Sequence, residues 1–499
     1  MKLPTSVYNW LSLSGVVIAI FSLFAILLLL ALTLVFGEGG SYLGLFAFII
    51  LPAFLIIGLV LIPIGMIRKH KKEKKTETNL EKNWPILDLN VSPQRNAIII
   101  FSIGTVVFLL LTSIGSYEAF HYSESVEFCG KLCHSVMEPE YVAYQNSSHA
   151  RVSCVECHVG SGANWYVKSK LSGLYQVYAV TTGIYPTPIP TPISSLRPAR
   201  ETCEKCHWPE KFYAQKHRIE KHYLADETNS AWDISLVIKT GPEHSAMGLK
   251  EGIHWHINPA VQIEYEASPD REFIPWVKYT NTETGEVNIY TMDEETPEAY
   301  VGVKTDKRTM DCMDCHNRPS HLYNSPMKFI NNKIASGSIS CELPDIKTVA
   351  MQVLNVDFPT RDSAYRYIET EVKSYYEMMY ADDMPRLKPM IDQAIVQIKD
   401  GFYKNIFPGM KVNWTKYPNH IGHLETDGCF RCHNNKHKTP TGRVISMDCN
   451  LCHSINAQGP PDKMEKSEVF GSLAFKHPND PEDGWKNYKC SECHKDLYR

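Results

Sequence analysis

Fourteen of the fifteen cysteines in these 499 residues fall in seven close pairs, each followed at once by histidine, and no cysteine precedes Cys129. Six pairs have the strict spacing Cys-x-x-Cys-His: Cys154, Cys157 and His158; Cys203, Cys206 and His207; Cys312, Cys315 and His316; Cys429, Cys432 and His433; Cys449, Cys452 and His453; Cys490, Cys493 and His494. That is the attachment signature of c-type haem. The chemistry sets the spacing: two thiols form thioethers with the vinyl groups along one porphyrin edge, and the adjacent histidine then lies under the iron. From Cys129 to His207 three sites fall within 79 residues. This is too dense for a conventional side-chain core, so the porphyrins must supply much of the core themselves.

The remaining pair breaks the rule. In "FCGKLCHSVM" three residues separate Cys129 from Cys133, and Met137 stands three places after His134. Either His134 ligates the iron and Met137 packs, or Met137 is the ligand. An axial methionine tends to raise a haem's potential relative to bis-histidine ligation, which would suit a first electron acceptor.

Zinc also binds Cys and His, but a tetrahedral site needs two further ligands per pair, and nothing about it requires histidine after every second cysteine. A disulfide framework explains the histidines no better. A six-coordinate haem needs a second axial ligand, usually histidine or methionine in electron-transfer cytochromes. Twelve histidines outside the motifs follow the last apolar run. The distal candidates are His149, His222, His254, His256, His321, His423, His437 and His477; His149, His321 and His437 stand closest to attachment sites. This supply favours electron transfer over chemistry at an open iron. Cys341, the odd cysteine, reads as a small buried apolar residue.

Three uncharged apolar runs, Leu11 to Phe36, Leu43 to Ile67 and Ala97 to Gly115, reach the roughly 20 residues that a membrane helix needs. The first exceeds the apolar core of a signal peptide and no small-residue cleavage site follows it. "RKHKKEKK", Arg68 to Lys75, follows the second run, whereas "GEGGSY" after the first has no basic residue. Basic flanks stay in the cytoplasm, so the N-terminus is expected there and everything from Tyr117 onward outside it. The formal charge of −4 omits the haem propionates and gives no indication of a nucleic-acid partner.

Outside the membrane, Asn164 to Val180 has aromatic and aliphatic residues at helical spacing, and the proline-rich Tyr185 to Pro198 should run extended. Trp208 to Asp311 alternates like strands, with a hairpin at a Thr-Gly turn; on such a strand His254 and His256 would share one face. Helices are expected around Arg361 to Tyr380 and Pro385 to Tyr403.

The run "FCGKLCHSVMEPEYVAYQNSSHARVSCVECHVG", then "WYVKSKLSGLYQVY", then "TCEKCHWPEKF", all behind a membrane anchor, resembles the NapC/NirT family of membrane-anchored multihaem quinol dehydrogenases over roughly Ala97 to Tyr213. The layout of three spans and seven haems is similar to that of inner-membrane heptahaem cytochromes of metal-reducing bacteria. The resemblance implies oxidation of a membrane quinol near the first haem, with methionine ligation by Met137 and a quinol-site lysine at Lys170. Six places later relatives tend to carry an acid, but this chain has Gln176, which leaves the proton acceptor open.

The expected fold is therefore a mainly α, membrane-anchored multihaem cytochrome with a haem-packed periplasmic domain and a small β-rich insertion. Its parts would be a transmembrane pair at 1–67 (11–36, 43–67), a basic cytoplasmic loop at 68–96, a third span at 97–116, a NapC/NirT-like three-haem domain at 117–227, the insertion at 228–310 and a four-haem domain at 311–499. The expected function is electron transfer from membrane quinol, menaquinol above all, through seven covalent haem c groups to a periplasmic c-type cytochrome or reductase, in a bacterial inner membrane. Two alternatives are a reductase of a small oxyanion such as nitrite and an anchor subunit for a separate reductase. No CxxCK motif, the mark of an open haem face, occurs.

Overall fold

The computed structural model describes residues 8–36, 50–74, 88–132, 134–160, 162–191, 198–208, 215–241, 252–469, 471–479 and 482–495. It forms two compact units, Met1–Met137 with Ser153–Val155, and Glu138–Val152 with Glu156–Arg499.

The first unit holds α1 (Trp10–Phe36), α2 (Leu51–Lys74) and α3 (Ser92–Ser123), each containing a stretch long and apolar enough to cross a membrane. Residues 43–49 of the second apolar run and 75–87 of the basic loop lie outside the described residues. Small residues let α1 and α2 approach closely, as membrane helices do where hydrophobic driving force is lacking. A Cβ on Gly15 would stand 2.6 Å from the Gly58 carbonyl oxygen, and one on Gly58 2.7 Å from the Ala19 nitrogen. Ser12 is buried in this seam and its hydroxyl donates to the Ile62 carbonyl at 2.8 Å. With 32 residues at 1.5 Å each, α3 is about 48 Å long, well beyond the roughly 30 Å of a hydrocarbon core. Its last turns, with Glu118 and His121, continue past the apolar stretch.

In the second unit α4 (His134–Gln145, shared with the first unit) and α5 (Ala163–Thr182) are followed by strands and then by four packed helices, α6 (Pro326–Ala335), α7 (Ile346–Leu354), α8 (Arg361–Met379) and α9 (Met384–Asn405). These four have an ordinary core in which Ile330, Leu343, Ile346, Ile368, Leu387 and Ile398 are wholly buried. Thr360 and Ser363 form a capping box at the start of α8, satisfying backbone donors that the first turn leaves unpaired. Buried with them is Lys347, whose Nζ donates to Asn331 Oδ1 at 2.7 Å.

Strand content exceeds the expectation of a mainly α chain with a small β insertion. Strands β1 (Gln215–Tyr223), β2 (Ala231–Lys239), β8 (His453–Gly459) and β9 (Glu465–Lys466) make one antiparallel sheet in the order β1-β2-β8-β9. A second follows the order β6-β3-β4-β5-β7, from β3 (Val261–Ala267), β4 (Trp276–Asn281), β5 (Val287–Met292), β6 (Asp306–Thr309) and β7 (His437–Lys438). Both sheets thus recruit strands from the C-terminal haem region, which local alternation between 208 and 311 did not reveal. The β4–β5 hairpin turns at Gly285, with φ of 74°.

Two further expectations are corrected. Ile253–Ile257 is a 3-10 helix, not a strand. Gly252 enters it at φ of 76°, where a Cβ would stand 2.7 Å from the Lys239 carbonyl oxygen, and Asn258-Pro259 ends it. Cys341 is exposed rather than buried, because it lies in the connection between α6 and α7, where its carbonyl accepts from Asn229 Nδ2 at 3.0 Å. Of the proline-rich segment, residues 192–197 lie outside the described residues.

Candidate haem centres

Six motif histidines each face one histidine from elsewhere in the second unit. The ring centroids lie 6.2 Å apart for His158 and His321, 6.0 Å for His207 and His149, and 6.3 Å for His316 and His254. They lie 5.9 Å apart for His433 and His256, 6.2 Å for His453 and His423, and 6.0 Å for His494 and His477. This spacing is what an iron between two imidazoles demands. An imidazole nitrogen binds a first-row transition metal at about 2.0 Å, and the nitrogen lies about 1 Å from its own ring centroid, so two trans rings stand roughly 6 Å apart.

Hydrogen bonds to the far side of the rings support the same fit. Nδ1 of His149 donates to the Pro319 carbonyl at 3.0 Å, of His254 to Thr240 at 2.7 Å, of His256 to Ile253 at 2.8 Å, of His321 to Glu140 at 3.1 Å and of His433 to Ser446 at 2.9 Å. A carbonyl can only accept, so the hydrogen sits on Nδ1 and the lone pair on Nε2, the tautomer and orientation that metal-bound histidine takes. Burial pushes His158, His254, His256, His316 and His453 below the ordinary imidazole value. His321, His423 and His494 fall to about 4, through burial and then the facing imidazole. Neutral imidazole is the form that binds metal.

Two distal candidates have no motif histidine facing them among the described residues. His437 is fully buried with Asn434 Oδ1 at Nδ1 and the Ile274 carbonyl at Nε2, so both ring nitrogens are engaged. His222 sits on β1 opposite Trp232. Proximity in sequence was a poor guide even for the paired ones: His149 precedes Cys154 yet faces His207, and His321 follows His316 yet faces His158.

Zinc and disulfide arrangements do not fit. Among the described residues no group of three or more His, Cys, Asp or Glu side chains is gathered to hold a metal ion, and no two cysteines are joined in a disulfide. Instead, successive attachment sites adjoin in chain order. Cys129 and Cys154 are close enough to hydrogen-bond, as are Cys203 and Cys312. Cys157 is within electrostatic reach of Cys203, Cys315 of Cys429 and Cys432, Cys429 of Cys452, and Cys449 of Cys490.

Tertiary structure also adds a residue that the motif leaves unspecified. Asp314, between Cys312 and Cys315, is 2% exposed and accepts from Tyr265 Oη at 2.5 Å, from the Asp311 backbone at 2.6 Å and from Arg308 at 3.3 Å. A buried carboxylate is tolerated only with such partners. They pin this attachment loop to the second sheet through β3 and β6. Nothing in a Cys-x-x-Cys-His pattern marks the middle positions, so only the contacts reveal it.

At the irregular site Cys133 lies outside the described residues, and so does the side chain of His134. Met137 is half-buried on α4. Lys170 is half-buried on α5 with Nζ 5.0 Å from the Tyr166 ring centroid, whereas Gln176 is exposed. The same helix exposes Val167, Leu171, Leu174, Tyr175 and Tyr178.

Residues 92–189 match the NapC/NirT cytochrome c family, N-terminal region. The chain is 43% identical over 495 residues to cytochrome c-type protein ImcH of Geobacter sulfurreducens, covering 98% of this chain and 96% of that protein. It is 32% identical over 115 residues to cytochrome c-type protein NrfH of Wolinella succinogenes, covering 22% of this chain and 63% of that one. No solved structure matches.

Proposed function

The chain belongs to the membrane-bound multihaem c-type cytochromes of the NapC/NirT family, and we propose that it oxidises membrane quinol, menaquinol above all, and conducts the electrons through seven covalent haems to a periplasmic c-type cytochrome or reductase. The single observation that carries this reading is the set of six facing imidazole pairs. Iron held by such a pair of histidines would be closed to substrate, which favours electron carriage over reduction of a small oxyanion. The haems supply one-electron redox steps when bound, and the adjoining cysteine pairs support a path that follows the order of the sequence, from Cys129 to Cys493.

Quinol would be oxidised at the first site, where Cys129 and Cys133 hold the haem and His134 or Met137 ligates it. The exposed apolar side chains of α5 offer a surface to lipid, and Lys170 Nζ is suited to hydrogen-bond a quinol oxygen from that helix. Gln176 can also hydrogen-bond a quinol hydroxyl, but a carboxamide is no base, so the two protons released per quinol pass to water at this exposed face. Basic residues flanking a span are retained in the cytoplasm, so those after α2 support a cytoplasmic N-terminus and a haem region on the periplasmic side of the inner membrane.

Anaerobic addition of a menaquinol analogue to the full-length holoprotein in lipid nanodiscs tests the reading. Prompt growth of the reduced-haem absorption band is expected. A protein that dithionite reduces fully and quinol does not would overturn it.

A further inference from the structure

The unexpected 3-10 helix at Ile253–Ile257 carries more than a change of secondary structure. On a strand His254 and His256 would project to one side. A 3-10 helix has three residues per turn, so residues two apart differ by about 240° and diverge. His254 accordingly faces His316 and His256 faces His433, the motif histidines of consecutive attachment sites. The orientations differ as much as two rings can: the planes of His254 and His316 are 4° apart, those of His256 and His433 81° apart.

The turn is held from several sides. The His254 ring is fixed by Thr240 and the His256 ring by Ile253. Between them Trp255 stacks on Tyr279 at 5.5 Å and packs against the core of the second sheet. Arg200 donates to the Ile257 carbonyl at 3.0 Å. Neither ring can rotate without breaking one of these contacts.

Resting on the haem reading above, we infer that His254-Trp255-His256 is a two-haem bracket, which supplies the sixth ligand of the haem at Cys312/Cys315 and of the next haem at Cys429/Cys432, with parallel ligand planes at the former and perpendicular planes at the latter. Ligand-plane angle governs how the iron d orbitals split, so these neighbours are spectroscopically distinct low-spin centres despite identical ligands. Trp255 is a positioning residue, since it acts through the two histidines.

Low-temperature EPR of the oxidised full-length holoprotein separates the two kinds. Near-parallel imidazoles give a rhombic low-spin signal, and near-perpendicular ones a highly anisotropic signal. His254→Met should remove one haem's worth of the rhombic signal, and His256→Met one haem's worth of the anisotropic signal, each leaving the other in place. An unchanged haem-to-protein ratio by pyridine haemochrome would show that attachment is intact. If a variant assembles poorly, His254→Gly and His256→Gly with added imidazole replace it, and return of the missing signal supports the bracket. An unchanged spectrum in either variant, loss of the same signal from both, or no recovery with imidazole overturns it. Quinol-driven reduction of the same variants is read separately: variants with unaltered spectra that quinol still reduces overturn the bracket and leave the functional reading standing.

Discussion

Helices α6 to α9 and the segment from Glu156 to Trp208 are built on opposite principles. In the helices, long aliphatic and aromatic side chains such as Ile330, Ile368, Leu387 and Phe402 are buried against one another. In the segment, which carries parts of two attachment sites, the buried apolar side chains among the described residues are Ala179 and Ala199. A fully buried large aliphatic side chain is worth about 1.5–3 kcal/mol, and the described residues of the segment have none to offset the entropy of ordering its backbone. Haems attached there would supply to the segment the burial that side chains supply to the helices.

The largest test of that contrast removes a prosthetic group. Cys203→Ala with Cys206→Ala should cost one covalent haem, read by pyridine haemochrome. Hydrogen exchange should then lose most of its protection between 156 and 208, while 326–405 stays protected. Equal loss in both regions would contradict the comparison.

Ile368→Ala strikes the other region. A wholly buried aliphatic cut to alanine costs about 2–5 kcal/mol, so the denaturation midpoint followed by far-ultraviolet circular dichroism should fall while the haem spectrum and haem count remain those of the parent.

A pH dependence sharpens the picture inside the same helices. Burial pushes Lys347 down to about 7. Below that value the folded state must hold an ammonium in an apolar core, a cost that the unfolded chain, with its lysine near the ordinary value, does not carry. Between the two values the unfolded chain binds the extra proton, so stability should rise with pH from about 7 towards about 10.5. Lys347→Met should flatten that slope, as measured by denaturation across the range.

Met137→Leu should have the smallest effect. If Met137 ligates the first haem, one haem should shift in spectrum and fall in potential, with the other six unmoved; no change in either would assign the site to His134.

Some of this was plain from local pattern. α5, α8 and α9 follow apolar periodicity closely, and the β4–β5 hairpin follows its Thr-Gly turn. Failures came where a segment's conformation depends on distant chain. "GIHWHIN" alternates like a strand, but Gly252, the Lys239 carbonyl and Trp255 against the second sheet make it a 3-10 turn.

The amino-acid sequence by itself determined where the haem-attachment motifs lie and where the chain is apolar enough to cross a membrane. A haem-attachment motif needs two cysteines and a histidine within five or six residues, and a membrane helix needs one continuous apolar run; both are local requirements. Which histidines face one another and the setting of Asp314 were decided only by tertiary structure. A histidine that faces a motif histidine arrives from another part of the chain, as His321 does for His158 across 163 residues, and no local spacing encodes which segment the fold brings there.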